Sequence, residues 1–264
     1  MKDILFISPN NARTIYQNLS TKYSAIEPPT WALLLSESCR SKDFSVAILD
    51  CLAENLNAEE SYKRIVEINP RIICFVVYGQ NVNAGTTNMS GATYLSSYLK
   101  EKNIVQPICF VGSHIQALPV ETLSNEKSID IGLCNEGVYS IWNLLKLKNF
   151  NFESLKKIKG IVFRSKNEIV VNEPEIVVPQ ERMDIDLPGY AWDLLPKDKR
   201  PLDLYRSPMW HAEYDEDKRS PYAALQSSLG CQFKCDFCMI NIINRNDNDE
   251  IGVASNYSKM RFWS

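Results

Sequence analysis

The stretch GCQFKCDFCMIN (230–241) carries Cys231, Cys235 and Cys238 in a C-x3-C-x2-C spacing. Thiolates are soft donors, and three within eight residues point to a bound metal or an iron–sulfur cluster rather than to packing. Structural zinc takes four ligands, commonly two C-x2-C pairs or one pair with histidines. Only one C-x2-C is present, and the nearest histidine, His211, lies twenty residues upstream of Cys231 and reads as a surface residue. No cysteine follows Cys238, so this segment cannot close a four-thiolate cluster. Three thiolates on a [4Fe–4S] cluster would leave one iron able to take a small bidentate molecule through an amine and a carboxylate. A zinc-stabilised α/β interaction protein is the remaining alternative.

The other five cysteines, Cys39, Cys51, Cys74, Cys109 and Cys134, are scattered. Cys74 and Cys109 sit inside apolar runs, where a thiol acts as a small buried hydrophobe. The chain has 264 residues, 45% of them hydrophobic, enough for one or two domains with a real core. Its net charge of −3 gives no basic surplus for phosphate contacts, so a nucleic-acid partner is not expected. No apolar run approaches the roughly 18 residues of a membrane span. The opening MKDILFISPN reads as a first buried strand rather than an export signal. A cytoplasmic protein without disulfides is expected.

Something must position the cysteine loop. Residues 1–147 alternate short apolar runs (4–8, 46–50, 72–78, 108–112, 130–134) with helix-like segments (28–41, 58–68, 87–101, 116–125, 137–148). Continuous apolar runs of this length read as parallel strands buried on both faces, and the alternation predicts a doubly wound, Rossmann-like α/β domain. Ligands bind such sheets over the carboxyl ends of the strands. The loops there are SPNN (8–11), YGQNVN (78–83), GSHIQALP (112–119) and NEG (135–137).

Residues 148–219 form a second segment. IVFR and EIVV flank a turn at Ser165-Lys166-Asn167 and predict a hairpin. From Glu173 onward the chain is rich in Pro and charge and reads as an extended crossing, with EYDEDKR (213–219) a solvated charge run. In the third segment, 220–264, YAALQSSLG (222–230) reads as a new strand leading into the cysteines.

C-x3-C-x2-C with Phe237 before the last cysteine resembles the radical SAM superfamily. The resemblance implies that Cys231, Cys235 and Cys238 hold a [4Fe–4S] cluster whose open iron binds S-adenosylmethionine for reductive cleavage to a 5′-deoxyadenosyl radical. It places Phe237 beside the adenine; an ordinary core aromatic is the alternative reading of that residue. The first domain resembles the cobalamin-binding domain of the B12-dependent radical SAM class. The likeness rests on EPPTWALLLSESCRSKDFSVAILD (27–50), VYGQN (77–81), VGSHIQALPVETL (111–123), near the family's GGPHxxALPEET, and NEGVYSIWNLL (135–145), near its GEGE. It departs from the family at Ser113, Ile115 and Asn135. By resemblance, Ser8, Tyr78, Gln80, Asn81, Gly112, Ser113, His114, Ala117, Leu118, Glu136 and Gly137 line the cobalamin site. The D-x-H-x-x-G signature that supplies a lower axial histidine elsewhere is absent, and the first loop, SPNNARTIYQN, has no histidine. Cobalamin is therefore expected without a first-loop ligand, with His114 either lining the pocket or purely structural. A domain of this type that no longer binds cobalamin is the alternative.

The class includes anaerobic magnesium-protoporphyrin ring cyclases and phosphinate P-methyltransferases, and SSLGCQFKCDFCMIN leans to the methyltransferase side. The resemblance implies methyl transfer to an unactivated carbon or phosphorus of a small-molecule substrate, with an electron donor such as flavodoxin or ferredoxin. A radical SAM barrel is a full or partial (β/α) barrel, a full one taking about 250 residues. Residues 220–264 hold only its first βα unit, SKMRFWS resembling the approach to the first helix. The chain is thus expected to be the N-terminal part of a longer enzyme, or a cofactor-binding piece without activity of its own. No catalytic side chain is assigned.

Overall fold

A computed structural model describes residues 1–12, 17–20, 22–78, 82–166, 168–231, 233, 235, 238 and 260–264. Five parallel strands, β1 (Lys2–Ser8), β2 (Val46–Asp50), β3 (Pro70–Val77), β4 (Ile108–Gly112) and β5 (Ile131–Leu133), form the sheet. The hairpin β6 (Ile161–Ser165) and β7 (Glu168–Val171) extends it by antiparallel pairing with β5, giving the order β2-β1-β3-β4-β5-β6-β7. The sheet therefore runs past residue 147 and takes in the hairpin expected in the second segment. The strand order reverses between β1 and β3, and that crevice is where a doubly wound sheet of order 2-1-3-4-5 takes its ligand.

Strand periodicity divides the apolar runs between two cores. Ile4 and Phe6 face one side with Cys74 and Val111, under α1 (Thr30–Arg40) and α6 (Val138–Leu145). Leu5 and Ile7 face the other with Phe75 and Phe110, which stack at 4.9 Å, under α2 (Ala58–Ile68) and α3 (Met89–Glu101). Met89, Ala92, Leu95 and Leu99 of α3 fall on one helical face and are all buried, as helical periodicity requires. Cys39, Cys51, Cys74 and Cys109 are buried in these cores, and Cys134 is half-buried.

Three local readings are corrected. The stretch 112–119, read as a loop with a helix from 116, is helical from the first residue past β4. It forms α4 (Ser113–Ala117) and then α5 (Pro119–Asn125), restarted by Pro119 in the first turn. The crossing segment is irregular as expected, and it packs onto the core. Val178, Met183 and Leu187 enter the core under α1, and Asp186 accepts hydrogen bonds from Arg182, Tyr139 and Lys42. In the charge run 213–219, Arg219 is buried; its guanidinium donates to the carbonyls of Ser207, Lys22 and Ser24 at 2.8, 2.6 and 2.8 Å. A strand over 222–230 shrinks to β8 (Ser228–Leu229), because its partner β9 (Arg261–Phe262) is only two residues long. Among the described residues no helix is long and apolar enough to cross a membrane.

Candidate functional site

The rim of the sheet gathers most of the residues expected there. Ser8 ends β1 and pairs in register with Asp50 at the end of β2. Tyr78 follows β3, Gly112 ends β4 opposite Val77, Ser113 and His114 open α4, and Glu136 and Gly137 lie between β5 and α6. Gln80, Asn81 and Phe237 lie outside the described residues. Ala117 is half-buried and Leu118 exposed, one helical turn beyond the rim. The crevice between β1 and β3 is bridged by amides: Asn11 donates to Asn88, and Asn88 donates to the Tyr78 carbonyl at 2.9 Å. Gly91 brings the first turn of α3 so close that a Cβ there would lie 2.7 Å from the Asn10 carbonyl oxygen.

One rim residue, Asp50, carries chemistry that the sequence did not announce. Asp50 is buried and accepts from the backbone N–H groups of Leu52 and Ala53, while the Tyr205 hydroxyl, reaching over from the crossing segment, donates to it at 3.0 Å. Burial pushes the Asp50 carboxyl up to about 6, against the lowering effect of those hydrogen bonds. The folded state thus keeps a proton that the unfolded chain, with an ordinary value of 3.8, gives up first. Stability from this group is fully present at low pH and falls as pH rises through the window from about 4 to 6, by about 3 kcal/mol. Asp50→Asn, always neutral, is expected to escape that loss. In urea unfolding it should gain about 2 kcal/mol on the wild type between pH 4 and pH 7; a gap that stays constant with pH would refute the assignment.

Tyr78 packs its ring at a tilt of 56° against Trp31, centroids 5.4 Å apart, and its hydroxyl is buried with no partner among the described residues. Burial raises its phenol above the ordinary range, so it is a neutral donor. The imidazole of His114 is half-buried, with Nδ1 3.1 Å from Thr86 Oγ1; desolvation lowers its pKa and favours the neutral ring.

The Glu136 carboxylate faces protein rather than solvent. Arg261 of β9 grips both its oxygens, one at 3.1 Å, and the Val178 N–H donates to it at 2.9 Å. Arg261 also donates to the Val178 carbonyl. Arg261 stands opposite Leu229 in the β8–β9 ladder, two residues before Cys231, so the base of the cysteine loop is tied to the rim.

The loop leaves β8 through Gly230, in the left-handed region at φ 87°. The Phe233 N–H points at Cys231 Sγ (3.4 Å), and the Cys238 N–H closes a turn on the Cys235 carbonyl at 3.0 Å. Cys235 is exposed, and Cys231 and Cys238 are half-buried. Among the described residues no three His, Cys, Asp or Glu side chains are drawn together as a metal site. The donor set nonetheless fits an iron–sulfur group: three accessible soft thiols on one loop, with a backbone N–H on one sulfur. In contrast, burial pushes the Cys51 thiol up to about 12 and raises Cys39, Cys74 and Cys109 as well. For a corrinoid, the strand order and the orphaned Tyr78 hydroxyl at the rim fit a polar ligand over β3.

No protein-family model matches the chain. An uncharacterized methyltransferase of Pyrococcus horikoshii is 28% identical over 211 residues, 80% of this chain and 40% of that protein. A cobalamin-dependent S-adenosylmethionine radical enzyme, OxsB, solved with aqua-cobalamin and S-adenosylmethionine bound, superposes with a TM-score of 0.60 at 15% identity. That match covers all of this chain and 30% of OxsB. The radical S-adenosylmethionine methyltransferase TsrM of Kitasatospora setae, solved with cobalamin and a [4Fe–4S] cluster bound, gives 0.59 at 12% identity over 92% of this chain and 43% of that one. The chain thus spans well under half the length of each of these proteins, and the likeness to the two solved structures is one of fold: a mostly parallel α/β sheet shared with two cobalamin-binding enzymes.

Proposed function

We propose that this chain carries the cobalamin-type domain and the cluster-binding loop of a B12-dependent radical SAM methyltransferase. The observation that carries the reading is the loop holding Cys231, Cys235 and Cys238, its base tied to the carboxyl-end rim of a sheet of order 2-1-3-4-5. Both solved neighbours hold cobalamin, one with a [4Fe–4S] cluster, and two of the relatives are described as methyltransferases, which favours methyl transfer over ring cyclisation. The three thiolates would hold a [4Fe–4S] cluster, with Phe237 beside the adenine of S-adenosylmethionine. When bound, the cluster supplies an electron for reductive cleavage of that cofactor. Ser8, Tyr78, Gly112 and Ser113 would line the cobalamin side, with Gln80 and Asn81 in the loop after β3. Tyr78 offers a neutral hydroxyl, and no first-loop histidine reaches the cobalt. The partners of the reaction would be a small-molecule substrate and an electron donor of the flavodoxin or ferredoxin kind.

The test is anaerobic reconstitution of the chain with iron, sulfide and cobalamin, followed by visible and EPR spectra with and without S-adenosylmethionine. A [4Fe–4S] spectrum together with protein-bound cobalamin supports the reading, and a shift on adding S-adenosylmethionine supports the open iron. Bound zinc with no cluster would sink it.

A further inference from the structure

We propose that Glu136 is a positioning residue for the cysteine loop: with Arg261 it forms a buried clamp that sets the β8–β9 hairpin against the rim of the parallel sheet. The inference rests on the reading of that loop as a cluster site, and it replaces ligand binding as the task of the Glu136 carboxylate.

Glu136 and Arg261 are both almost fully buried, and each is held by more than the other. The carboxylate takes two guanidinium nitrogens and the Val178 N–H, and the guanidinium also reaches the Val178 carbonyl. Three chain segments that are remote in sequence therefore meet at one carboxylate: the β5–α6 loop, the crossing segment and β9. The Glu136 backbone is fixed from behind. The Asn135 side chain accepts from the Glu136 N–H at 2.7 Å and donates to the Glu175 carbonyl at 2.7 Å, and Trp31 Nε1 donates to the Glu136 carbonyl at 3.3 Å.

The clamp continues along the tail. The Gln180 amide makes a reciprocal pair with the Phe262 backbone at 2.8 and 2.9 Å, Trp263 Nε1 donates to the Leu187 carbonyl at 2.6 Å, and the Ser264 N–H donates to Asp184 at 3.0 Å. These outer contacts are exposed or partly so, whereas the Glu136–Arg261 pair is desolvated. A bidentate, desolvated pair is directional, and one with a broken half leaves an unpaired buried charge. Since Leu229 pairs with Arg261, a shift of Arg261 is carried directly to the strand that delivers Cys231.

The experiment compares wild type with Glu136→Gln, Arg261→Gln and the apolar pair Glu136→Leu/Arg261→Leu, which removes both charges at once and so separates folding from positioning. Hydrogen exchange is followed by mass spectrometry on the metal-free full chain. In all three variants, exchange in peptides over 226–231 and 260–264 is expected to rise about tenfold or more while β1, β3 and β4 keep their protection. After reconstitution the iron per chain should match wild type, since every cysteine is retained, but the EPR signal of the reduced cluster should broaden. Unchanged exchange at 226–231 in the apolar pair overturns the clamp. So does a rise spread evenly over β1, β3 and β4 in that pair, which would make Glu136 a matter of global stability. A wild type that takes up no iron defeats the proposed function alone, because the exchange comparison is still readable without metal.

Discussion

Alanine at any one of Cys231, Cys235 or Cys238 is expected to take the reconstituted chain from about four irons to nearly none, with loss of the broad visible absorption of the cluster. Each removal leaves only two thiolates on one short loop. Cys134, the fifth of the scattered cysteines, is half-buried beyond the end of β5. The other four scattered thiols are buried in the cores, where burial holds them protonated. Cys134→Ala is therefore the control and should keep its full iron. Iron and sulfide analysis beside the spectrum decides the matter. If the three variants retain iron as well as Cys134→Ala does, or if only zinc is lost, the loop is not a cluster site.

Gly112→Ala should be the most damaging single methyl group in the sheet, at about 3 kcal/mol or more. A Cβ there would sit 2.2 Å from the Val77 carbonyl oxygen and 2.8 Å from its carbon, and both are backbone atoms of the neighbouring strand. Relief requires β3 and β4 to separate at the rim, where Val77 and Gly112 pair in register. Gly132→Ala in β5 makes an instructive contrast. Its Cβ would also approach within 2.6 to 2.9 Å, but against side-chain atoms of Val162 and Ile115 that can turn, so about 1 kcal/mol is expected. Urea unfolding of both variants tests this; equal losses would mean that the clash with backbone is not what sets the cost.

The parallel sheet was legible because strands buried on both faces are written as continuous apolar runs, and their ends match ILFIS, VAILD and ICFVG within two residues. The rim was legible through its glycines and through the resemblance, and Gly112 now has a local reason: a strand pair too close for any side chain. Long-range partners were not legible. The resemblance brings Glu136 to the rim beside Gly137, but nothing local says that Arg261 waits for its carboxylate 125 residues away. Arg219 looked solvated because its neighbours are charged, yet it is the one member of that run turned inward onto carbonyls. Asp50 ends an apolar strand in which only its neighbours suggested burial, and Tyr205, which donates to it, comes from a Pro- and charge-rich stretch that reads as loop. The helix over 113–117 was missed because GSHIQALP is too short and too mixed to show a period.

The guanidinium of Arg219 also sets an order of events during synthesis. It holds the carbonyls of Lys22 and Ser24, 197 and 195 residues earlier, and Arg206 holds Ser20 and Ser24 across 186 and 182. A ribosome releases the chain from its N-terminus, so β1 to β5 emerge and can pair long before either arginine exists outside the exit tunnel. Closing so long a loop costs only slowly more entropy with length, so the delay is one of availability rather than of equilibrium. The carbonyls of Ser20 and Ser24 thus meet their first guanidinium only once Arg206 has cleared the tunnel, and that of Lys22 only once Arg219 has, on a nascent chain whose parallel strands are already paired.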